Sequence, residues 1–324
     1  MAYMQIVLGL VLLVFAGDFL VRGAVSLAQR LGVPTLIIGL TIIAFGTSAP
    51  ELVVAIDAVL SDAPTLALGN VVGSNVANIL LVIGLPAIIA PIACDAPRLG
   101  RNLFIMIGVT LIFIGLAYTG GFGTTQGLIL LAILAAFLFS SLYRAKSHPE
   151  AVDPLAELDG IEEHHDSMGL SLLMILGGLI GLVFGADQLV EGSVTVARAL
   201  GVSEAVIGLT LVALGTSLPE LVTAVVAAIR GHADVAVGSV IGSNLFNLLC
   251  IIGISSQFGF IDVPASFLEF DLWIMLLCSL ILVPYYLRKR MIGRWSGMAM
   301  IIVYGSYMYY LATADNAAVA AMGL

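Results

Sequence analysis

A chain of 324 residues with 60% apolar and 10% charged side chains carries more apolar surface than a soluble core of that size can hide, and its mean hydropathy of +1.14 makes lipid its solvent. The formal charge of −9 comes without a basic patch, which excludes nucleic acid as a partner. The three cysteines, Cys94, Cys250 and Cys278, show no CxxC spacing and read as small buried residues rather than as a disulfide or metal site.

The first apolar run, 4–31, lacks a basic stretch before it and has a counterpart deep in the chain, so it reads as a span and not as a cleaved signal. Further runs follow at 34–60, 65–91, 102–119, 125–143, 169–200, 203–229, 234–257, 270–287 and 295–313. A hydrocarbon core of ~30 Å needs about 20 residues of helix, so ten spans are expected. Between the fifth and sixth lies an acidic stretch, 144–168, with Glu150, Asp153, Glu157, Asp159, Glu162, Glu163 and Asp166. Its His148, His164 and His165 could hold a metal among those acids. Pro149, Pro154 and the scattered charge fit a solvated connector better.

The two halves match without a gap at a shift of 169. Asp18 falls on Asp187, Gly46 on Gly215, Glu51 on Glu220, Gly73 on Gly242, Asn75 on Asn244, Asn78 on Asn247 and Gly84 on Gly253. This is an internal repeat. Each half has an odd number of spans, so the second must lie upside-down relative to the first, the plan of many secondary transporters. The expected fold is therefore an all-α integral membrane protein. Ten transmembrane helices form two inverted five-helix repeats, with broken helices at the midplane. The first repeat is 1–143, the linker 144–168 and the second repeat 169–324.

Charge orients it. With both termini outside, Arg22, Arg30, Arg98, Arg101, Arg144, Lys146, Arg230, Arg288, Lys289, Arg290 and Arg294 fall on the cytoplasmic side, and only Arg198 falls outside. The positive-inside rule then places the 144–168 linker of this multi-pass chain in the cytoplasm; a plasma (inner) membrane is the expected location.

The chemistry lies in GTSAPELVVA, from Gly46, and GTSLPELVTA, from Gly215. A carboxylate at mid-bilayer costs roughly 2.5–3.5 kcal/mol on insertion scales and survives beside a cavity, a partner or an ion. No Lys or Arg stands near Glu51 or Glu220 in sequence, so a cation between them is the simplest compensation. Thr47 and Ser48 precede Glu51 by helical spacing, and Pro50 breaks the ladder and frees carbonyls. Thr216, Ser217, Pro219 and Glu220 repeat the set. Such an all-oxygen shell suits a hard cation such as Ca²⁺ or Na⁺. The next span adds Ser74 and Asn78 in one half and Ser243 and Asn247 in the other, each pair at i, i+4. Taken singly these are interhelical glue; duplicated beside duplicated glutamates they read as ligands. The Gly-x-x-x-Gly spacings at 69 and 73, and at 238 and 242, would let helices approach closely. Asp18 and Asp187 lack the Thr-Ser-Pro context and read as capping or contacts with the opposite half. Asp57 and Asp62 fit an outer vestibule. No HExxH or GxSxG occurs, so no enzyme is expected. A channel is the rival from a different class, and the duplicated broken helices favour one occluded site over it.

These paired motifs, GTSAPE with GNVVGSN and GTSLPE with GSVIGSN, resemble the two α-repeats of the calcium/cation antiporter superfamily. The GTSxPE form is similar to the prokaryotic sodium/calcium exchangers. The resemblance implies exchange of Na⁺ for Ca²⁺ by alternating access, with an H⁺/Ca²⁺ antiporter as the alternative. It implies a shared site in which Glu51 and Glu220 are the carboxylates. Thr47, Ser48, Thr216 and Ser217 supply carbonyls and hydroxyls, and Ser74, Asn78, Ser243 and Asn247 complete it. The spans at 4–31 and 169–200 become a gating pair. No prosthetic group and no obligatory protein partner are implied; Ca²⁺ and Na⁺ are cargo, with H⁺ or K⁺ as the alternative coupled ions, and membrane lipid is the surroundings. Exchangers of this branch often carry aspartate at the position of Asn247; here both repeats have asparagine, so the core holds two carboxylates.

Overall fold

Apolar runs interrupted by Gly, Pro and small polar residues should give long helices with local breaks, and this is the architecture found. The computed structural model describes residues 1–32, 35–94, 99–147, 167–200 and 213–321. In chain order the helices are α1 (Ala2–Leu31), α2 (Thr35–Ile38), α3 (Ala44–Thr47), α4 (Ala49–Leu60), α5 (Pro64–Ala77), α6 (Gly84–Ile89), α7 (Leu99–Ala117) and α8 (Thr124–Ser147). Then come α9 (Met168–Ala199), α10 (Ala213–Thr216), α11 (Leu218–Ile229), α12 (Ala233–Phe246), α13 (Ile252–Ser255), α14 (Leu272–Leu287) and α15 (Arg294–Ala321). Among the described residues, seven helices are long and apolar enough to cross a membrane, and the pair Gly39–Thr47 and Ala49–Leu60, bent by 47°, makes an eighth. The expected span 203–229 is described only from residue 213, and 295–313 lies inside the 28-residue α15, which is less apolar than the seven. The histidines and acids of the linker at 148–166 fall outside the described residues.

α1 and α9, matched by the repeat, run antiparallel. Near one end of the pair a Cβ on Gly192 would lie 2.7 Å from the Ala2 carbonyl, and near the opposite end one on Gly23 would lie 2.8 Å from that of Ser171. Small residues at the crossings allow this approach, as in membrane helix pairs generally. Ser26 and Ser171 share a hydrogen bond of 2.8 Å within the seam.

The two halves clasp each other by their ends. A Cβ on Gly84 of α6 would meet the carbonyl of Gly297 on α15 at 3.2 Å, and one on Gly253 of α13 would meet that of Gly127 on α8 at 3.3 Å. Gly253 is the repeat mate of Gly84, so the contact is duplicated with the halves exchanged. The loops do likewise. Phe122 pairs with Ile261 in a two-residue antiparallel ladder, Gly121–Phe122 with Ile261–Asp262, while Ile92, mate of Ile261, bridges to Ile292. These short ladders are the departure from an all-helical chain. They satisfy backbone groups where two loops meet. The three cysteines are buried and unbridged.

Candidate cation-binding site

Each GTSxPE motif breaks its helix where the sequence predicts. α3 ends at Thr47, Ser48 sits at φ −85°, ψ 5°, and Pro50 opens α4 in the first turn, where its missing N–H costs nothing. α11 begins in the same way after Ser217, with Pro219 in its first turn. The break brings Glu51 and Glu220 to the first turn of α4 and α11, favourable ends for a carboxylate. Both are almost wholly buried, at 1% and 2% exposure. Ser48 donates across the repeat boundary to Glu220 Oε1 at 3.1 Å, which sets Glu220 against the helix break that precedes Glu51. Both carboxylate oxygens of Glu51 and Oε2 of Glu220 have no protein partner.

The break turns the hydroxyl of Thr47 back to the Ile43 carbonyl at 3.0 Å, leaving its oxygen lone pairs and not its proton for a ligand. Thr223, not among the expected residues, bonds in the same manner to the Pro219 carbonyl at 2.7 Å. Ser217 and half-buried Thr216 line a cavity of about 680 Å³ together with Ser74, Asn70 and Gly73, and with Tyr304 and Tyr307 of α15. Ser243 is buried with an unpartnered hydroxyl.

The asparagines stand on α5 and α12 just where each helix widens into a π-helical turn, Asn78–Val82 and Asn247–Ile251. Such turns are frequent at functional sites. Asn78 Nδ2 donates to Asn244 Oδ1 at 3.0 Å, and Asn247 Nδ2 donates to Asn75 Oδ1 at 3.0 Å. The side-chain oxygens of Asn78 and Asn247 are buried without a partner. The sequence reading had Asn75 and Asn244 as matched positions without a role. It also passed over Asn70 and Ser239, repeat mates one turn before Ser74 and Ser243, whose Nδ2 and Oγ are buried and unpartnered. The signal was there: 70, 74, 78 and 239, 243, 247 are two ladders at i, i+4.

The other expectations divide. Asp18 makes the expected contact with the opposite half, pairing with Arg230 and with Arg22 at 2.9 Å. Its mate Asp187 is exposed, with a side-chain contact of 3.5 Å to its neighbour Gln188. Gly242 is packed under α3, where a Cβ would come within 2.6 Å of that of Ala44. Gly73 has open space around it among the described residues, so its expected helix contact is not made there. Asp57 and Asp62 are exposed, and Asp62 adjoins Ala63 at the cavity wall.

Buried carboxylate and amide oxygens without partners are costly unless something compensates them. Residues 1–143 and 170–313 match the family described as sodium/calcium exchanger protein. The chain is 32% identical to the sodium/calcium exchanger MaX1 of Methanosarcina acetivorans, over 95% of this chain and 98% of that one. It is 33% identical to the inner membrane protein YrbG of Escherichia coli, over 94% and 96%. Its fold is similar to that of the sodium-calcium exchanger NCX_Mj soaked with zero Na⁺ and Ca²⁺, with a TM-score of 0.83 and 31% identity over 96% of this chain and 98% of that one. The helical membrane protein described here thus belongs to the sodium/calcium exchanger protein family, whose members are antiporters and not enzymes.

Proposed function

We propose that this chain exchanges Na⁺ for Ca²⁺ across the plasma (inner) membrane by alternating access, at a site built from Glu51, Glu220, Thr47, Ser48, Thr216, Ser217, Ser74, Asn78, Ser243 and Asn247. The observation that carries the reading is the set of unpartnered oxygens. Three belong to Glu51 and Glu220, and one each to Asn78, Asn247 and Ser243. All are hard donors, and one Ca²⁺ balances two carboxylates. Na⁺ competes for the same oxygens, and that exclusion couples the fluxes. The names of MaX1 and NCX_Mj support Na⁺ as the exchanged ion, and that of YrbG supports the inner membrane.

Ten helices in two inverted repeats, 1–143 and 169–324, joined by a cytoplasmic linker at 144–168, are the plan we adopt. The antiparallel α1 and α9 and the exchanged glycine contacts support it. The cavity beside Ser217 runs along the α4–α5 turn, the side that the arginine distribution assigns to the exterior. α1 and α9 form the pair that shifts against the rest.

The test is Ca²⁺ uptake into Na⁺-loaded proteoliposomes, against Li⁺, K⁺ and proton gradients. Uptake driven by Na⁺ alone is the expected result. Uptake driven by protons alone assigns the chain to H⁺/Ca²⁺ antiport through the same glutamates, and no Ca²⁺ flux under any gradient overturns both.

A further inference from the structure

An asparagine can bind a cation only through its oxygen, yet its amide turns by half a rotation at little cost. Something must decide which end faces the ion. In this chain the decision traces to two backbone carbonyls, which cannot turn. Asn75 Nδ2 donates to the carbonyl of Asn244 at 3.4 Å, and Asn244 Nδ2 donates to the carbonyl of Asn75 at 3.3 Å. A flipped Asn75 or Asn244 would set oxygen against oxygen, so each must present its own Oδ1 away from that contact. Those two oxygens accept from Asn247 Nδ2 and Asn78 Nδ2. Flipping Asn247 or Asn78 would again set oxygen against oxygen. Both outer amides are thereby left with a buried, unpartnered Oδ1.

We infer that Asn75 and Asn244 are positioning residues, a crossed brace that holds the Asn78 and Asn247 amides with their oxygens toward the cation. The inference rests on the reading of this cluster as a cation site. Each repeat orients the other's ligand: Asn75 holds Asn247, and Asn244 holds Asn78. The brace is needed because both outer positions are amides. An aspartate in either place has an oxygen at each end and no N–H to direct, so it would need no holder.

That difference supplies the test. The full chain is purified in detergent as wild type, Asn75→Ala, Asn247→Asp and the double variant, and apparent Kd values for Ca²⁺ and Na⁺ are read from ion-dependent thermal stabilisation. Asn75→Ala is expected to weaken binding about tenfold, the equivalent of one well-made hydrogen bond at about 1.4 kcal/mol. In the Asn247→Asp background the same change is expected to cost less than about threefold, a rescue that shows as coupling in the cycle. Equal costs in the two backgrounds overturn the inference and make Asn75 a packing residue. The mirror cycle, Asn244→Ala with Asn78→Asp, must behave alike, and it decides the question if Asn75→Ala does not fold. A wild-type chain that neither Ca²⁺ nor Na⁺ stabilises would overturn the cation-site reading and this inference together, a result distinct from equal costs in a chain that binds.

Discussion

The two GTSxPE repeats are close copies in sequence and stand in different surroundings. Ser217 opens onto a cavity of about 680 Å³; its mate Ser48 borders a void of about 10 Å³, lined by Phe45, Leu52, Phe246, Cys250 and Ile251. Gly242 lies under α3, whereas Gly73 has open space among the described residues. Asp18 ties α1 to the end of α11 through Arg230, whereas Asp187 on α9 is exposed. On the proposed alternating-access reading, a duplicated sequence held in an unsymmetrical arrangement has a second arrangement with the surroundings exchanged, its contacts drawn from the same residues. The charge is not duplicated, however: Arg22 and Arg230 match Glu191 and Ser61. On that reading the ion pair favours one arrangement only.

The largest effects should ignore this asymmetry. Glu51→Gln and Glu220→Gln should each reduce gradient-driven Ca²⁺ uptake more than about a hundredfold, the scale of removing a buried charged partner. A large inequality between them would mean that the cation is held by one repeat alone. Next, Gly242→Ala should destabilise the chain by about 1–3 kcal/mol through overpacking against α3, while Gly73→Ala should stay within about 0.5 kcal/mol. Thermal unfolding in detergent reads both, and equal losses would erase the contrast. Asp18→Asn should cost about 0.5–1 kcal/mol, because the pair is partly exposed, and Asp187→Asn should cost less. Labelling of a cysteine placed in the α4–α5 turn should change with Asp18→Asn if the ion pair biases the arrangement.

The smallest effect concerns His232, in the turn before α12, where the first repeat has Ala63. Burial pushes its imidazole below the usual value of 6.5, with Asp234 opposing and Arg230 adding to the shift. A base with a lowered folded pKa contributes stability above its unfolded pKa and loses it as pH falls through the folded value. The unfolding midpoint should therefore drop as pH falls below about 6.5. His232→Gln should flatten that slope, and an unchanged slope would place the sensitivity elsewhere.

Much of this was legible before any coordinates. Glu51 and Glu220 announce themselves because carboxylates in apolar runs need a cause, and Pro50 and Pro219 place the breaks because a missing N–H has few tolerable positions. The brace was not legible. Asn75 and Asn78 are the same residue type three apart, and only the crossing of α5 with α12 separates holder from held. The π-helical turns after Asn78 and Asn247 were hidden for a similar reason, since tertiary contacts and not local preference widen a helix. Asp18 and Asp187 show the opposite limit: one pattern gave one expectation, and the unsymmetrical arrangement gave two fates.

The exchanged glycine contacts carry a consequence for biogenesis. Gly84 finds its seat only when Gly297 has been made, and Gly127 waits for Gly253. The small-residue grooves of the first half therefore stay without their protein partners until the second half is made. Ribosomes release domains in order, but this molecule closes only near the last helix, so its assembly is a late event set by contacts far apart in the chain.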